Sequence, residues 1–342
     1  MISASRLLAR HIPGPVPGTF PPARATAWWG GILALATLAL ALPMEAGWLD
    51  RSFAATISAL QPARPEGAPA SLSGHRADVD ARPVAGVGRN LSGLAWDERR
   101  GHLWAVVNEP PQLLALTADG DVLAQHPLEG FQDVEGVAVL DGDRLLLAEE
   151  RRQSVVVAPV PAAADAVLSR TGLPALSLAL GAGGNAGFEG LAYDETGDRL
   201  FVVKEHSPRK LYEIRGLRAS LAGRLDIQII DREDWVRDKL VARDFSSVEF
   251  DSRTGHLLLL SDASKLALEL DGEGRYVGFQ SFAAGFAGLA DSVPQAEGLT
   301  LDERGNLYVV SEPDLFYAFH SKQAGPFPHP HREFAPDQIY PI

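Results

Sequence analysis

The chain has 342 residues, a net charge of −13 and no cysteine. So acidic a chain lacks the basic patches that nucleic-acid binding needs. The absence of cysteine excludes disulfides, thiolate metal sites and a cysteine nucleophile. The length allows a large hydrophobic core, divided between two domains or held in one β-propeller.

The N-terminal region predicts a membrane segment. Residues 1–26 carry arginines and no acid, and residues 27–44 form an uncharged apolar stretch with tryptophans at its start. Such a stretch can span a bilayer, and the preceding arginines favour a cytoplasmic N-terminus. We expect a single-pass anchor in the bacterial inner (plasma) membrane, with the remaining chain on the periplasmic side. A cleaved signal peptide is the alternative, although Pro43–Ala46 is a poor cleavage site.

The next segment separates this anchor from the main domain. Residues 45–74 are rich in alanine, proline and arginine, a composition typical of an extended tether. Residues 75–342 form the predicted domain. Within it, residues 217–243 extend the third of the repeated units described next, and we expect a loop or a short helix there.

A repeated pattern predicts the fold of this domain. Each unit has an acidic or small polar residue, an apolar run, an Asp/Gly turn and a second apolar run, as in Glu189–Asp194 followed by Leu200–Val203. Further β-type runs complete four antiparallel strands, which make one propeller blade. The units start at Ser92, Glu135, Glu189, Ser246 and Glu297. The sequence therefore predicts an all-β, five-bladed β-propeller after an N-terminal transmembrane helix, with six blades as the alternative. Residues 77–87 are expected to close the ring as the outer strand of the last blade.

Carboxylates recur at one register of these units. The start of the first strand and the end of the antiparallel second strand lie at the same rim, so the acids should converge at one mouth of the channel. Like charges so close together raise each other's pKa or require a cation, and oxygen donors suit Ca²⁺, with Mg²⁺ or Mn²⁺ as alternatives. The inner candidate ligands are Glu135, Glu189 and Glu297. The outer candidates, of which we expect one or two to bind, are Glu150, Glu205, Asp262 and Glu312, and Asn108 stands at the same position in the first unit.

A purely structural ring is the alternative to this metal site. The acids could satisfy backbone N–H groups of the neighbouring blade, or pair with nearby cations such as Lys204, Arg151 and Arg209. His206 is the best candidate for a general base. No nucleophile motif of a known hydrolase class is present.

Five motifs resemble one known family. They are Asn90–Trp96, Val107–Gln112, Pro127–Gly136, Phe188–Ala192 and Pro294–Leu299. In order and spacing they are similar to the SdiA-regulated (YjiK-like) proteins, over roughly residues 75–325. The resemblance implies a five-bladed propeller behind a membrane anchor, a distant relation to NHL-repeat propellers, and a bound calcium ion. It implies no established enzymatic activity.

Three functions follow as hypotheses. The first is a membrane-anchored extracytoplasmic propeller that binds Ca²⁺ at the channel mouth and recognises an unknown small molecule or protein partner. The second is a metal-dependent hydrolase of the lactonase or esterase type, which would use the same cation. The third is a structural scaffold, in which the inner acids matter for stability alone.

Overall fold

The computed structural model describes residues 47–60, 72–178, 187–205, 208–237 and 242–321. The predicted tail, the predicted membrane segment at 27–44 and the C-terminal residues 322–342 lie outside these ranges. Within the described ranges, no helix combines the length and apolar character needed to cross a membrane.

The described chain is almost entirely β-structure. Its strands are β1 (Arg76–Pro83), β2 (Leu91–Asp97), β3 (His102–Val107), β4 (Gln112–Leu116), β5 (Val122–Glu129), β6 (Val134–Val139), β7 (Arg144–Glu149), β8 (Ser154–Pro159), β9 (Leu168–Ser169), β10 (Ala175–Ser177), β11 (Gly190–Asp194), β12 (Arg199–Lys204), β13 (Lys210–Arg215), β14 (Gln228–Asp231), β15 (Ser247–Asp251), β16 (His256–Ser261), β17 (Leu266–Leu270), β18 (Tyr276–Ser281), β19 (Gln295–Leu301), β20 (Leu307–Glu312) and β21 (Leu315–His320). The helices are α1 (Trp48–Leu60), α2 (Leu217–Leu221) and α3 (Glu233–Val236).

These strands form five sheets, which are the blades of a β-propeller. From the channel outwards, the strand orders are β2-β3-β4-β5-β9, β6-β7-β8-β10, β11-β12-β13-β14, β15-β16-β17-β18 and β19-β20-β21-β1. The first strand of the domain, β1, pairs with the last, β21, and so closes the ring. The five-bladed prediction and the predicted closure are both confirmed. No sixth sheet is present in the part of the chain that the structure describes.

The hydrophobic core lies between the blades. Five apolar clusters fill the five interfaces between neighbouring blades. In β16, Leu257 and Leu259 pack towards the third blade, whereas Leu258 and Leu260 pack towards the fifth. Successive strand residues point to opposite faces, so a strand covered on both faces needs a continuous apolar run.

Three features differ from the sequence-based expectations. Blade 1 gains a fifth strand, because β9 pairs in parallel with β5. The insertion at 217–243, expected as a loop or short helix, contains α2, α3 and also β14, the outer strand of blade 3. The predicted tether at 45–74 includes α1, whose Ala54 is fully buried against blades 3 and 4.

Candidate functional site

The inner strands β2, β6, β11, β15 and β19 all begin at one end of the channel, which we call the acid mouth because Glu135, Glu150 and Glu189 gather there. In β6 the pairing with β7 shifts between Val134 and Gly136, so Glu135 is the extra residue of a β-bulge. The same shift surrounds Glu297 in β19. Bulges re-aim a side chain, and here they mark the acids of the predicted register.

Glycines near the start of four of the inner strands allow neighbouring inner strands to approach. A Cβ at Gly93 would lie 2.6 Å from the Glu135 carbonyl oxygen, and one at Gly298 would lie 2.7 Å from the Ser92 carbonyl oxygen. One at Gly190 would lie 2.7 Å from Ser247 Cα. These are backbone atoms that cannot move aside cheaply, so the Glu-Gly pairs serve the ring as well as the acids.

Glu135 is the inner acid with the most polar contacts. Ser92 Oγ donates to its Oε2 at 2.6 Å, and Asn108 Nδ2 donates to its Oε1. Burial nevertheless raises the pKa of Glu135 to about 7, and the charges of Asp133 and Glu150 act in the same direction. The contacts of Glu135 therefore do not offset the cost of burying its ionised carboxylate at neutral pH.

Three carboxylates form a compact cluster around it. Oxygens of Asp133, Glu135 and Glu150 all lie within 4.8 Å of one another. Glu150 also hydrogen-bonds to the carboxyl of Glu189, and the Gly187 N–H donates to its Oε1 at 3.3 Å. A contact between two carboxyl groups needs a proton or a cation between them. Burial raises the pKa of Glu150, and the hydrogen bond to Glu189 opposes that rise.

Burial and neighbouring negative charges also raise the pKa of the other two inner acids, Glu189 and Glu297. Burial raises the pKa of Glu189, and the charges of Glu150, Glu135, Glu205 and Glu297 raise it further. Burial also raises the pKa of Glu297 well above its usual range, although Gln295 Nε2 donates to Glu297 Oε1 at 2.9 Å. Carboxylates from several blades thus interact across the channel.

Among the described residues, Arg151 is a cation in contact with the cluster. The Arg151 guanidinium lies 2.7 Å from Asp133 Oδ2, its side chain is 64% exposed whereas that of Asp133 is 9% exposed, and the contact lacks hydrogen-bond geometry. Water around Arg151 screens part of this ion pair. Arg152 instead pairs with Glu149. His206, the candidate base of the hydrolase hypothesis, lies outside the described residues.

The outer candidates divide into different roles. Glu150 belongs to the cluster, whereas Asp262 Oδ1 accepts from Lys265 Nζ at 2.6 Å and from the Ala296 N–H at 2.9 Å. Glu312 faces Gln295 across the β19–β20 pair, and burial raises its pKa. Glu205 contributes its charge to the field at Glu189.

Asp133 is a member of the cluster that the sequence analysis missed. It precedes β6 with a φ of 54°, and its carbonyl accepts the Glu150 N–H at 2.9 Å, which holds the two residues side by side. Asn90 takes the same place two residues before Ser92, with a φ of 59°. Asn and Asp adopt positive φ more readily than other non-glycine residues. This recurring polar residue, two positions ahead of the acid, was the signal available in the sequence.

A cavity of about 670 Å³ lies at the opposite end of the channel, lined by the β-hairpins that end the inner strands. We call it the hairpin mouth, and its aspartates are Asp97, Asp141, Asp194, Asp251 and Asp302. They accept from donors of their own hairpins: Asp97 Oδ2 accepts from Trp104 Nε1 at 2.9 Å, and Asp194 Oδ1 accepts from the Gly197 N–H at 3.0 Å. Asp141 Oδ2 accepts from Arg144, whereas its Oδ1 is buried without a hydrogen bond. This cavity and the carboxylate cluster therefore lie at different ends of the channel.

Several solved structures show a partial likeness to this chain. A luciferin-regenerating enzyme shares 11% identity over 73% of this chain and 96% of its own, with a TM-score of 0.48. A gluconolactonase from Xanthomonas campestris shares 16% identity over 76% of this chain and 98% of its own, with a TM-score of 0.42. The glutaminyl cyclase of Myxococcus xanthus shares 15% identity over 71% of this chain and 98% of its own, with a TM-score of 0.45. No activity of these proteins carries over to this chain.

The family relationship rests on sequence. The profile of the SdiA-regulated family matches residues 68–320, which include every strand of the propeller and the whole carboxylate cluster. The match covers well over half of the chain and agrees with the motifs around Ser92, Glu135, Glu189 and Glu297. The protein therefore belongs to the SdiA-regulated family.

Proposed function

We propose that the acid mouth binds Ca²⁺ through Asp133, Glu135 and Glu150, with Glu189 next to the ion. The observation that carries this proposal is the convergence of the first three carboxylates, whose oxygens lie within 4.8 Å of one another. At this separation unit charges repel strongly in a partly buried site, and a divalent cation turns that repulsion into attraction.

The donor set fits a hard cation. It consists of carboxylate oxygens, and Asp133 Oδ2 is buried without a hydrogen bond. Two oxygens on opposite sides of Ca²⁺ lie about 4.6–5.2 Å apart, whereas opposite ligands of Mg²⁺ lie about 4.2 Å apart. Oxygens that lie within 4.8 Å of one another can therefore share one Ca²⁺ ion. Bound Ca²⁺ would also stabilise the contact between the carboxyl groups of Glu150 and Glu189 in their ionised forms.

The same ion gives the mouth a recognition role. A cation held at the channel entrance would present a positive centre to an oxygen of a small molecule or a protein partner. The proposed function is thus ligand or partner recognition by a calcium-loaded propeller. The hydrolase alternative needs a base beside the ion, and no described residue contacting the cluster supplies a histidine for that role.

The proposed location follows from the sequence alone. Residues 27–44 would anchor the chain in the inner membrane and place the propeller on its periplasmic side, where Ca²⁺ is available. The anchor and the calcium site are separate proposals, because the ligands all lie within the propeller.

Calorimetric titration of the full chain in detergent with Ca²⁺ and with Mg²⁺ tests the metal site. We expect a stoichiometric Ca²⁺ site and a melting temperature that rises with Ca²⁺ and falls on addition of EDTA. Glu135→Gln should weaken Ca²⁺ binding by about tenfold or more, equivalent to about 1.4 kcal/mol, because one ligand charge is lost. The triple variant Glu135→Gln, Glu189→Gln, Glu297→Gln should fold and bind no Ca²⁺.

Glu195→Gln is the matched control, since Glu195 is an exposed acid that lines the hairpin mouth. It should bind Ca²⁺ like the parent chain. If the parent shows neither heat nor a thermal shift, or if the triple variant retains both, the calcium site is refuted and the acids belong to the architecture.

A further inference from the structure

Helix α1 has an inverted distribution of polarity. At about 100° per residue, its exposed side chains fall in one arc of about 160°. This arc has no charged residue and includes the exposed Trp48, Leu49, Phe53 and Leu60, with Phe53 52% exposed. A helix on the surface of a water-soluble domain normally shows the opposite pattern.

The charged residues of α1 face the propeller instead. Asp50 Oδ2 accepts from Arg243 Nε at 2.7 Å and from Ser264 Oγ at 2.9 Å. Arg51 is buried, and its Nη1 donates to the Ser264 carbonyl at 3.4 Å. These contacts fix the rotation of the helix, so its apolar arc points outwards by construction.

Further contacts hold α1 on the propeller along its length. Tyr276, the first residue of β18, donates from its hydroxyl to the Ala54 carbonyl at 3.1 Å and lies 2.8 Å from Ser58 Oγ. Ala54 is fully buried in the apolar cluster between blades 3 and 4. The helix is therefore part of the propeller's surface, and its apolar arc is a fixed surface feature.

We infer that this apolar arc lies in the membrane–water interface and brings blades 3 and 4 closest to the bilayer. The inference rests on the proposed anchor at 27–44, which ends a few residues before Trp48 and so delivers α1 to the bilayer surface. A helix whose apolar face carries tryptophan, phenylalanine and leucine inserts that face at the headgroup level. The partner of this apolar arc is thus a lipid surface.

The absence of cysteine from the chain allows a site-specific test. The full chain with Phe53→Cys is labelled with an environment-sensitive fluorophore and reconstituted into phosphatidylcholine–phosphatidylglycerol vesicles containing nitroxide-labelled lipid. Val167→Cys is the matched control, because Val167 is 51% exposed and precedes β9 at the outer edge of blade 1, which does not adjoin blade 4. Both positions are exposed, so both variants should melt like the parent chain.

We expect quenching at position 53 to exceed that at position 167 by about threefold or more. Equal quenching at the two positions in vesicle-bound protein would overturn the inference and leave the anchor standing. Sedimentation of the chain with the vesicles after an alkaline wash tests the anchor independently of α1. If the chain does not sediment and position 53 is not quenched, the anchor and the interfacial helix are both refuted. If position 53 is quenched but the chain does not sediment after the wash, α1 binds lipid and only the anchor is refuted.

Discussion

The two mouths of the channel contain similar numbers of acids but use them differently. At the hairpin mouth most aspartates accept from several donors of their own hairpins, as where Asp302 accepts from the Asn306 N–H at 2.7 Å and from the Tyr308 hydroxyl at 3.1 Å. At the acid mouth Asp133, Glu135 and Glu150 face one another. The number of acids therefore does not identify a site; the supply of donors does.

The difference has a topological origin. The hairpin that ends an inner strand is short, so its aspartate meets the backbone N–H groups of the same turn. The opposite end of each inner strand receives a longer connection from another blade, and the bulges there turn the acids towards the channel. The hairpin end thus supplies donors for its carboxylates locally, whereas at the acid mouth the carboxylates of Asp133, Glu135 and Glu150 face one another.

The largest expected effect is on stability, at the hairpin mouth. Asp97→Ala removes the acceptor of the buried Trp104 Nε1 and the partner of Arg100, whose side chain is 7% exposed. Breaking a buried ion pair on one side costs about 3–5 kcal/mol. Urea unfolding should show a loss of this size, while the Ca²⁺ affinity of the folded protein stays unchanged.

Glu98→Ala provides the matched control for Asp97→Ala. Glu98 is the exposed neighbour of Asp97 at the same mouth. Its replacement should change the free energy of unfolding by less than about 0.5 kcal/mol. A loss below 1 kcal/mol in Asp97→Ala, or a loss of Ca²⁺ affinity in that variant, would remove the distinction between the two mouths.

An intermediate effect is expected in the pH dependence of the metal-free protein. The pKa of Glu135 is about 7 in the folded state, against 4.5 for its usual value. The folded state then binds the proton more tightly, so this stabilisation is complete below pH 4.5 and is lost as the pH rises to 7. For a shift of this size the loss is on the order of 3 kcal/mol.

The measurement compares urea unfolding of the parent chain and Glu135→Gln in EDTA at several values between pH 4.5 and 7. The difference between the two proteins cancels groups that do not interact with Glu135, such as the buried His102, whose pKa is lowered to about 4. It reports Glu135 together with its coupling to Glu150 and Glu189. The parent should lose stability relative to the variant as the pH rises, and saturating Ca²⁺ should reverse this trend. Parallel pH curves for the two metal-free proteins would contradict the raised pKa.

Much of the fold could be predicted from the sequence, because local patterns determine it. The five units, their turns and the closing strand follow from apolar runs of the kind seen in Leu257–Leu260, which fit strands covered on both faces. Helix α1 and the parallel strand β9 were not predicted, because tertiary contacts rather than local sequence patterns determine them. Asp50 and Arg51 point inwards to Arg243 and Ser264, against the usual periodicity of a surface helix.

The carboxylate site could be predicted in part. Antiparallel register brings the acids to one mouth, and Glu135, Glu150 and Glu189 do meet there. The register places the outer candidates at the same position in every blade. It could not show that the carboxylate of Asp262 already accepts hydrogen bonds from Lys265 and from a backbone N–H. It also passed over Asp133, whose position depends on a positive φ just ahead of the strand.

The smallest expected effect tests this division of the outer acids. Asp262→Asn keeps an oxygen that accepts from Lys265 and from the Ala296 N–H, so the loop geometry is preserved. The ion pair that it weakens is partly buried, with side chains 20% and 23% exposed, and Asn keeps one acceptor for Lys265. Ca²⁺ affinity, measured by calorimetric titration, should change by less than about twofold, whereas Glu150→Gln should lower it by about tenfold or more. Because the two acids occupy the same register in different blades, a tenfold loss in Asp262→Asn would extend the metal site across the channel and make register, rather than local donor supply, the property that selects the ligands.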